Sequence, residues 1–431
     1  MHLQGVLVED QHQDTLLYAG EVRVRITDWF FFKKNIELKY IGLSDAVIQM
    51  QRTDSVWNHQ FLIDYFTSPS SGKSEGSTQL NLKQIDFKNI SFVKKDAWLG
   101  QDMTVRLSSF SLSADDINLS KRTISLGSLH IVDPYFSLYN YPRRKPAPAD
   151  SSQASPKASL TDSTLKWNSA GWVIEADKLE ITNGTFKTGS STASAPEAGV
   201  FDGKNIEFAK INTSFTGLRW EKDTITALLN LQTRERSGFE VKDMVANVKV
   251  TPQEMSFDKL NIKTNNSIIR DHFSMHFTRI SDLDDFIHAV KMQGRFNNSE
   301  IDSDDIAFFA PAMKTWKKNI TLKGVIRGAV DDLYGRNLVI QAGNNTLLNG
   351  DISMTGLPDI NQTFIDFKAN DFRTTYNDAV AFVPAIRDVT QPDLRKLQFI
   401  RFNGNFTGFI RDFVTFGTIQ TNLGILTSDL N

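Results

Sequence analysis

The stretch Asp378–Asp412, DAVAFVPAIRDVTQPDLRKLQFIRFNGNFTGFIRD, indicates how the rest of the chain is built. An earlier version of it lies at Asp305–Asp332, as DIAFFAPAMKTWKKNITLKGVIRGAVDD. A repeat of this kind indicates a structural module stacked on its neighbour, which favours a surface or a conduit over a single catalytic pocket. The matched positions are Asp305 and Asp378, Phe309 and Phe382, Pro311 and Pro384, Lys314 and Arg387, Gly324 and Gly404, Gly328 and Gly408, and Asp332 and Asp412.

The repeated glycines predict how the strands of each copy bend. Gly324 and Gly328 lie four residues apart inside strand-like sequence, and so do Gly404 and Gly408. Glycine inside a strand marks a bulge, a sharp coil of the sheet or a close approach of another backbone. At matched positions, such glycines would let a long sheet curl.

The repeated prolines and aspartates also receive structural interpretations. Pro311 and Pro384 lie where a short helix is predicted to kink or end, because proline cannot continue a helix. Asp332 and Asp412 recur with the repeat. This recurrence favours a role at a turn over paired-carboxylate catalysis.

Composition divides the chain into four parts. Residues 142–159, PRRKPAPADSSQASPKAS, are rich in Pro, Ala and Ser and have no apolar period, which is typical of a linker. A short helix is predicted over 54–66. The parts are an N-terminal β segment over 1–141, the linker over 142–159, a central β segment over 160–280, and a repeat region over 281–431 with copies at about 301–372 and 373–431, the second incomplete.

Apolar and polar residues alternate over most of the chain, as at Val22, Val24 and Ile26. A period of two predicts strands with one apolar and one polar face, so the fold class is mainly β with a few short helices. The alternation breaks and resumes at Asn89 and Asn183, which predicts bends or bulges. The pattern fits both a closed β-sandwich core and a sheet curled into an apolar trough, because only a covering second sheet distinguishes them.

Bulk composition excludes several classes of function. A net charge of -2 over 431 residues provides no basic field for nucleic acid. The absence of cysteine excludes disulfides, thiolate metal sites and a cysteine nucleophile. The sequence contains no signal peptide and no run of about 18 apolar residues. It also starts and stops abruptly, so we expect a fragment of a longer protein.

Residues capable of metal binding or catalysis receive structural interpretations. His272 and His276 have a metal-like spacing, but they alternate with apolar residues on a predicted strand and have no third ligand nearby. Asp302, Asp304 and Asp305 resemble the start of a calcium loop, yet the required glycine and closing glutamate are missing, so helix capping is favoured. No phosphate-binding, dinucleotide or nucleophile-elbow motif is present. We therefore expect no enzyme activity, catalytic residue, metal or cofactor.

The segment Gly404–Gly424, GNFTGFIRDFVTFGTIQTNLG, resembles the AsmA-like superfamily and, within it, the long TamB-type proteins. The resemblance covers nearly the whole chain as scattered short patterns. The other patterns that carry it are EDQHQDTLLYA at Glu9–Ala19 followed by Val22–Ile26, TGLPDI at Thr355–Ile360 followed by Thr363–Asp366, and the strand pair around Asn183 and Gly184.

The resemblance implies a long, coiled antiparallel β-sheet with taco-like repeats that forms a hydrophobic groove. It implies a periplasmic location, an N-terminal helix anchored in the inner membrane, and phospholipid movement to the outer membrane with acyl chains in the groove. It further implies support of outer-membrane assembly through a β-barrel assembly protein. The anchor and the C-terminal part that would meet that partner are missing, so we expect one segment of a bridge. The expected groove-wall residues are Val22, Val24, Ile26, Val105, Leu107, Val248, Val250, Ile262, Ile340, Ile365 and Phe367.

The alternation alone supports a second functional interpretation. The chain would then be a periplasmic or surface β-sandwich binding protein without lipid transport. Polar loops at 67–79 and 142–159 would carry recognition in that protein. Bound lipid separates the two hypotheses, because a closed core offers acyl chains no path.

Overall fold

The computed structural model describes residues 1–26, 38–67, 82–144, 166–315, 318–382 and 384–430. The fold is mainly β with a few short helices, as the alternation predicts. The chain forms two compact units. Unit 1 comprises Met1–Glu197 and Asp202–Gly238, and unit 2 comprises Ala198–Phe201 and Phe239–Asn431. The predicted linker over 142–159 stays a prediction, since most of it lies outside the described residues.

The described residues of unit 1 form a sheet of ten strands with one helix. The helix, α1, runs over Gln60–Thr67 and is shorter than the predicted 54–66 helix at its start, where residues 53–59 form bends and turns. Asn58 holds this segment by donating to Asp10 and accepting from the Gln51 amide. The strands are β1 His2–Glu9, β2 Thr15–Ile26, β3 Leu38–Arg52, β4 Gln84–Asp96, β5 Gln101–Asn118, β6 Thr123–Val132, β7 Tyr135–Asn140, β8 Val173–Ser190, β9 Glu207–Glu221 and β10 Thr224–Glu235.

The prediction of an antiparallel sheet is wrong for three strand pairings of unit 1. Strand β4 is parallel to β3, and β8 is parallel to both β6 and β7. Parallel neighbours need a long crossover, and the connections over 53–83 and 141–172 have the necessary length. Strands β6 and β7 follow one line beside β5, interrupted at Asp133 and Pro134.

In unit 2 the described residues form eleven strands, each antiparallel to the next along the chain. Its short helices are α2 Phe286–Ala289, α3 Ser303–Ile306 and α4 Tyr376–Phe382, with 3-10 turns at Ile280–Asp285, Pro311–Thr315, Pro384–Asp388 and Leu394–Lys396. The strands are β11 Glu240–Thr251, β12 Glu254–Lys263, β13 Ile268–His276, β14 Lys291–Asp302, β15 Asn319–Ala329, β16 Asp332–Ala342, β17 Thr346–Thr355, β18 Phe364–Thr374, β19 Ile400–Phe409, β20 Asp412–Thr421 and β21 Gly424–Leu430.

Because every strand of unit 2 reverses direction, its connections lie along two edges of the sheet. We call the edge where β12, β14, β16, β18 and β20 end the upper rim. It holds the connections 264–267, 303–318, 343–345, 375–399 and 422–423. We call the opposite edge the lower rim. It holds 252–253, 277–290, 330–331, 356–363 and 410–411.

The strands of unit 1 are interrupted at the predicted asparagines, which have no partner in the strand register, and the register shifts beside Asn183. Asn89 and Asn183 have φ angles of 52° and 55°, in the left-handed region that asparagine tolerates. The Asn89 side-chain amide donates to the Asp45 carboxylate at 2.8 Å, and that of Asn183 donates to Asp133 at 2.6 Å. These hydrogen bonds stabilise neighbouring bends against one another.

In unit 2 the repeated glycines lie beside shifts in strand register. Gly324, with φ of 131°, pairs with Phe296 where the β14–β15 register shifts. A Cβ atom at Gly324 would lie 2.8 Å from a backbone oxygen of Asn337, so a larger residue would push the strands apart. Gly404 occupies the equivalent place beside the β18–β19 shift.

The other repeat-matched residues lie at chain turns. Asp332 and Asp412 begin β16 and β20, directly after two-residue turns. Gly328 and Gly408 pair across those same turns with Leu333 and Phe413. Pro311 and Pro384 each begin a 3-10 turn shortly after α3 or α4 has ended. Proline suits the first position of such a turn, because its missing N–H would have no partner there.

Candidate functional site: an apolar face and its rims

Rows of apolar side chains cross the sheet of unit 1 from strand to strand. Residues paired in register share a face of the sheet, so a row can be followed through the pairings. One row joins Val24, Ile41, Ile85, Leu112, Leu129, Leu179, Phe215 and Leu229 across eight strands.

Two further rows run parallel to the first, one on each side of the bulges. Because a bulge inserts one extra residue, apolar residues three apart across it return to the same face. Phe87 stacks on Phe110 with ring centroids 5.2 Å apart, and Phe136 stacks on Phe186 at 5.6 Å. The rows are Val22, Leu43, Phe87, Phe110, Ile131 and Ile181, and Leu17, Ile48, Phe92, Val105, Phe136, Phe186 and Phe208.

Four of the five wall residues predicted in unit 1 therefore lie on one apolar face. Val22, Val24 and Val105 belong to the three rows, and Leu107 pairs with Ile90 on the same face. The backbone of Ile26 pairs with Leu38, while its side chain lies outside the described part of the structure.

The opposite face of unit 1 is polar and carries exposed charges. Arg23 and Arg106 are exposed on this face. Arg219 forms ion pairs with Glu175 and with Glu221, the latter at 2.8 Å. Ion pairing raises the pKa of Arg219, mainly through the hydrogen bond to Glu221. The sheet thus has one face suited to water and one suited to apolar contact.

Unit 2 carries the same kind of face. Val248 and Phe367 belong to one row, Val250 and Ile365 to the next, and Ile340 to a third beyond the bulges. These rows are Val248, Phe257, Phe273, Gly294, Ile326, Gly335, Ile352, Phe367 and Phe406; Val250, Met255, Met275, Met292, Gly328, Leu333, Met354, Ile365, Gly408 and Phe413; and Leu322, Ile340, Leu348, Phe372, Phe402, Ile419 and Leu426. Ile262, the remaining predicted wall residue, pairs with Met244 and Ile269 on this face.

Burial on the apolar face is incomplete. Val248 is 7% exposed and Phe367 is 9% exposed, but Val250, Ile262 and Ile340 are only half-buried. Among the phenylalanines with described side chains, only Phe277 and Phe367 count as buried. In unit 1, most members of the first row are likewise half-buried.

The upper rim of unit 2 holds a buried carboxylate that sequence reasoning assigned to a different role. The sequence favours helix capping for Asp305, but the cap of α3 is Asp302, whose side chain accepts from the Asp304 amide. Asp305 is 4% exposed and reaches back to the turn between β12 and β13. It accepts hydrogen bonds from the Thr264 hydroxyl, the Asn266 amide at 3.1 Å, the Asn266 side chain at 3.2 Å and the Ser267 hydroxyl at 2.7 Å.

The next repeat has the same arrangement at Asp378, which is also 4% exposed. Asp378 accepts from the Asn344 and Asn345 amides at 3.4 Å and 2.7 Å and from the Thr346 hydroxyl at 3.2 Å. We call each carboxylate with its turn a rim lock. The sequence contains both halves of the signal: the repeated aspartate, and an Asn-Asn-Ser/Thr turn that occurs at Asn265–Ser267 and again at Asn344–Thr346.

The two histidines contact different partners. The His272 ring nitrogen Nδ1 lies 2.7 Å from Asp258, and His276 Nε2 lies 3.3 Å from the Ser274 hydroxyl. These are separate contacts on the polar face. Over the described ranges, no group of three or more metal-ligating side chains comes together.

Comparison of the chain with protein-family models, with curated proteins and with solved structures found no match. In the part of the chain that the structure describes, no helix is both long enough and apolar enough to cross a membrane. The candidate site therefore rests on the residues themselves: an apolar face in each unit, with locked connections along the upper rim of unit 2.

Proposed function

We propose that this chain shields phospholipid acyl chains and conducts them along its apolar face. One observation carries the proposal: apolar side chains continue in register from strand to strand on one face and stay half-buried. Exposed hydrocarbon costs roughly 25 cal/mol per Å² in water. A continuous apolar face lowers that cost at every point along a path.

The incomplete burial favours an open face over a closed β-sandwich. Side chains between two packed sheets interdigitate and lose nearly all contact with water. Ile340 and Leu112, which each have an apolar neighbour on both sides in their row, keep part of their surface exposed. An acyl chain could complete the packing that these side chains lack.

We place this activity in the periplasm, within a longer protein that bridges the inner and outer membranes as a curled, grooved sheet and supports outer-membrane assembly. The support for this part is the resemblance of Gly404–Gly424 and the other short patterns to TamB-type proteins. The partners would be phospholipid acyl chains and an outer-membrane β-barrel assembly protein. No step of the proposal requires a catalytic residue or a cofactor.

Native mass spectrometry of the chain purified without detergent, followed by lipid extraction, tests the proposal. We expect several phospholipids to be bound per chain. Ile340→Asp places a charge on the apolar face, whereas Gln341→Asp places the same charge on the polar face one residue away. Ile340→Asp should lower lipid occupancy at least threefold, while Gln341→Asp leaves it unchanged and both variants keep the far-UV circular dichroism of the parent.

A lipid-free monomer that also takes up no labelled phospholipid after delipidation would overturn the proposal. In that case, unfolding of the Ile340→Asp variant would support the β-sandwich binding protein, because a closed core does not tolerate a buried charge. Equal loss of lipid in both variants would show that the apolar face is not the binding surface.

A further inference from the structure

The upper-rim modules of unit 2 each present a basic side chain at the same place in the repeat. Lys314 lies in the 3-10 turn Pro311–Thr315 after α3, and Arg387 lies in the equivalent turn after α4. Both side chains are exposed, and neither forms an ion pair with another described residue. The locks at Asp305 and Asp378 stabilise the segments that carry them.

Charge differs between the two rims of unit 2. On the upper rim, Asp305 and Asp378 are buried and satisfied by hydrogen bonds. Its exposed charged side chains among the described residues are four basic ones and one acidic one: Lys314, Arg387, Arg395, Lys396 and Asp388. The lower-rim connections contain an excess of aspartate over arginine. Those residues are Asp282, Asp284, Asp285, Asp331 and Asp359 against Arg279 and Arg411.

We infer that phospholipids on the apolar face of unit 2 are oriented, with anionic head-group phosphates along the upper rim at Lys314 and Arg387. This inference rests on the proposed function and adds the head-group class and the orientation of the bound lipid. Ammonium and guanidinium groups form charge-assisted hydrogen bonds with phosphate oxygens. The aspartates of the lower rim repel the same group, so electrostatics favours one orientation.

The neighbouring side chains suit the boundary between a lipid head group and its acyl chains. Phe309, five residues before Lys314, is 52% exposed, and Val389, two residues after Arg387, is 43% exposed. A basic side chain beside exposed apolar surface can hold a phosphate in water while hydrocarbon lies against the protein. Each repeat module would then contain one basic side chain together with one exposed apolar side chain.

The test compares phosphatidylglycerol with phosphatidylcholine, loaded separately from vesicles onto delipidated chain and counted by native mass spectrometry. The parent should bind phosphatidylglycerol in preference. In the Lys314→Ala/Arg387→Ala variant, that preference should fall about fivefold, the effect of two exposed charge contacts, while phosphatidylcholine binding is unchanged. Arg411→Ala, a matched loss of an exposed arginine on the lower rim, should leave the preference intact.

The outcomes separate failure of this inference from failure of the proposed function. Binding of neither lipid by the parent would reject the proposed function, and the inference with it. Binding of both lipids without preference, or an equal effect of Arg411→Ala, would reject the inference alone. Displacement of phosphatidylglycerol by the same concentration of inorganic phosphate would assign the basic residues to free anions and also overturn it.

Discussion

Removing the carboxylate of Asp305 should open one connection of the upper rim while the sheet survives. Asp305 accepts four hydrogen bonds from the Thr264–Ser267 turn and is 4% exposed. In Asp305→Ala, these donors lose their acceptor in a place that water reaches poorly. We therefore expect the turn to detach from α3, with little effect on strand pairing elsewhere in unit 2.

The magnitude follows from the number and kind of contacts. A hydrogen bond to a charged group contributes about 1.5–3 kcal/mol, but the contributions do not add, and the variant also avoids burying a charge. We take about 3 kcal/mol for the whole lock, which corresponds to an increase of about 150-fold in local opening. The lock at Asp378 has three donors from its turn, one of them at 3.4 Å, so Asp378→Ala should have a smaller effect.

Hydrogen exchange followed by mass spectrometry measures this opening where it occurs. Local exchange is preferable to a global midpoint, because a chain of two compact units need not unfold in a single transition. Exchange at the Asn266 amide should accelerate in Asp305→Ala, with exchange at Asn345 unchanged. Exchange at the Asn345 amide should accelerate in Asp378→Ala, with exchange at Asn266 unchanged. Asp388→Ala, an exposed aspartate on the same rim, is the control. Unchanged exchange at Asn266, or acceleration spread evenly over unit 2, would refute the reasoning.

Three further predictions follow from local geometry. The hydrogen bond to Asp331 at 2.7 Å raises the pKa of His288 above its ordinary 6.5. The contact between the charged imidazolium and Asp331 is therefore present at low pH and is lost as the pH rises through the folded-state pKa of His288. An NMR titration should show the raised pKa, and Asp331→Asn should remove most of the shift. Gly324→Ala should destabilise the β14–β16 region by about 2 kcal/mol, because Gly324 has a positive φ angle and an added Cβ would lie close to the Asn337 carbonyl oxygen. Hydrogen exchange in these strands should accelerate. Gly127 has neither feature, so Gly127→Ala should have little effect. Burial raises the pKa of Tyr141 to about 12, so Tyr141→Phe should remove a phenol that titrates near that pH in ultraviolet absorbance.

The sequence was sufficient to predict local features whose cause is local. Alternation placed Val22, Val24 and Val105 on one face, because side chains of a strand point alternately to its two sides. At the breaks predicted at Asn89 and Asn183 the backbone is left-handed, a conformation that asparagine tolerates, and the strand register shifts beside Asn183. These features depend on a few consecutive residues and so can be seen without knowing strand order.

Strand direction could not be predicted in the same way. Strands β3 and β4 have ordinary alternation, and an antiparallel neighbour would satisfy it equally well. Their parallel pairing depends on a connection that returns the chain to the starting edge, and most of that connection is polar sequence without a period. Neither strand contains a residue pattern that distinguishes parallel from antiparallel pairing. The expected antiparallel sheet was therefore wrong at this pairing in unit 1.

The rim locks were missed for a different reason. The repeated aspartate and the Asn-Asn-Ser/Thr turn are both visible in the sequence, but the sequence does not show that they contact each other. The turn precedes β13, whereas Asp305 follows β14. The contact therefore exists only once these two strands have paired. A carboxylate after a strand usually caps the next helix, and Asp302 does so here. Asp305 is free for the longer contact because its neighbour already serves as the cap. The repeat at Asp378 indicates this contact. A helix cap requires only the helix beside it. An aspartate that recurs together with a distant Asn-Asn-Ser/Thr turn is better explained by a contact between the aspartate and the turn.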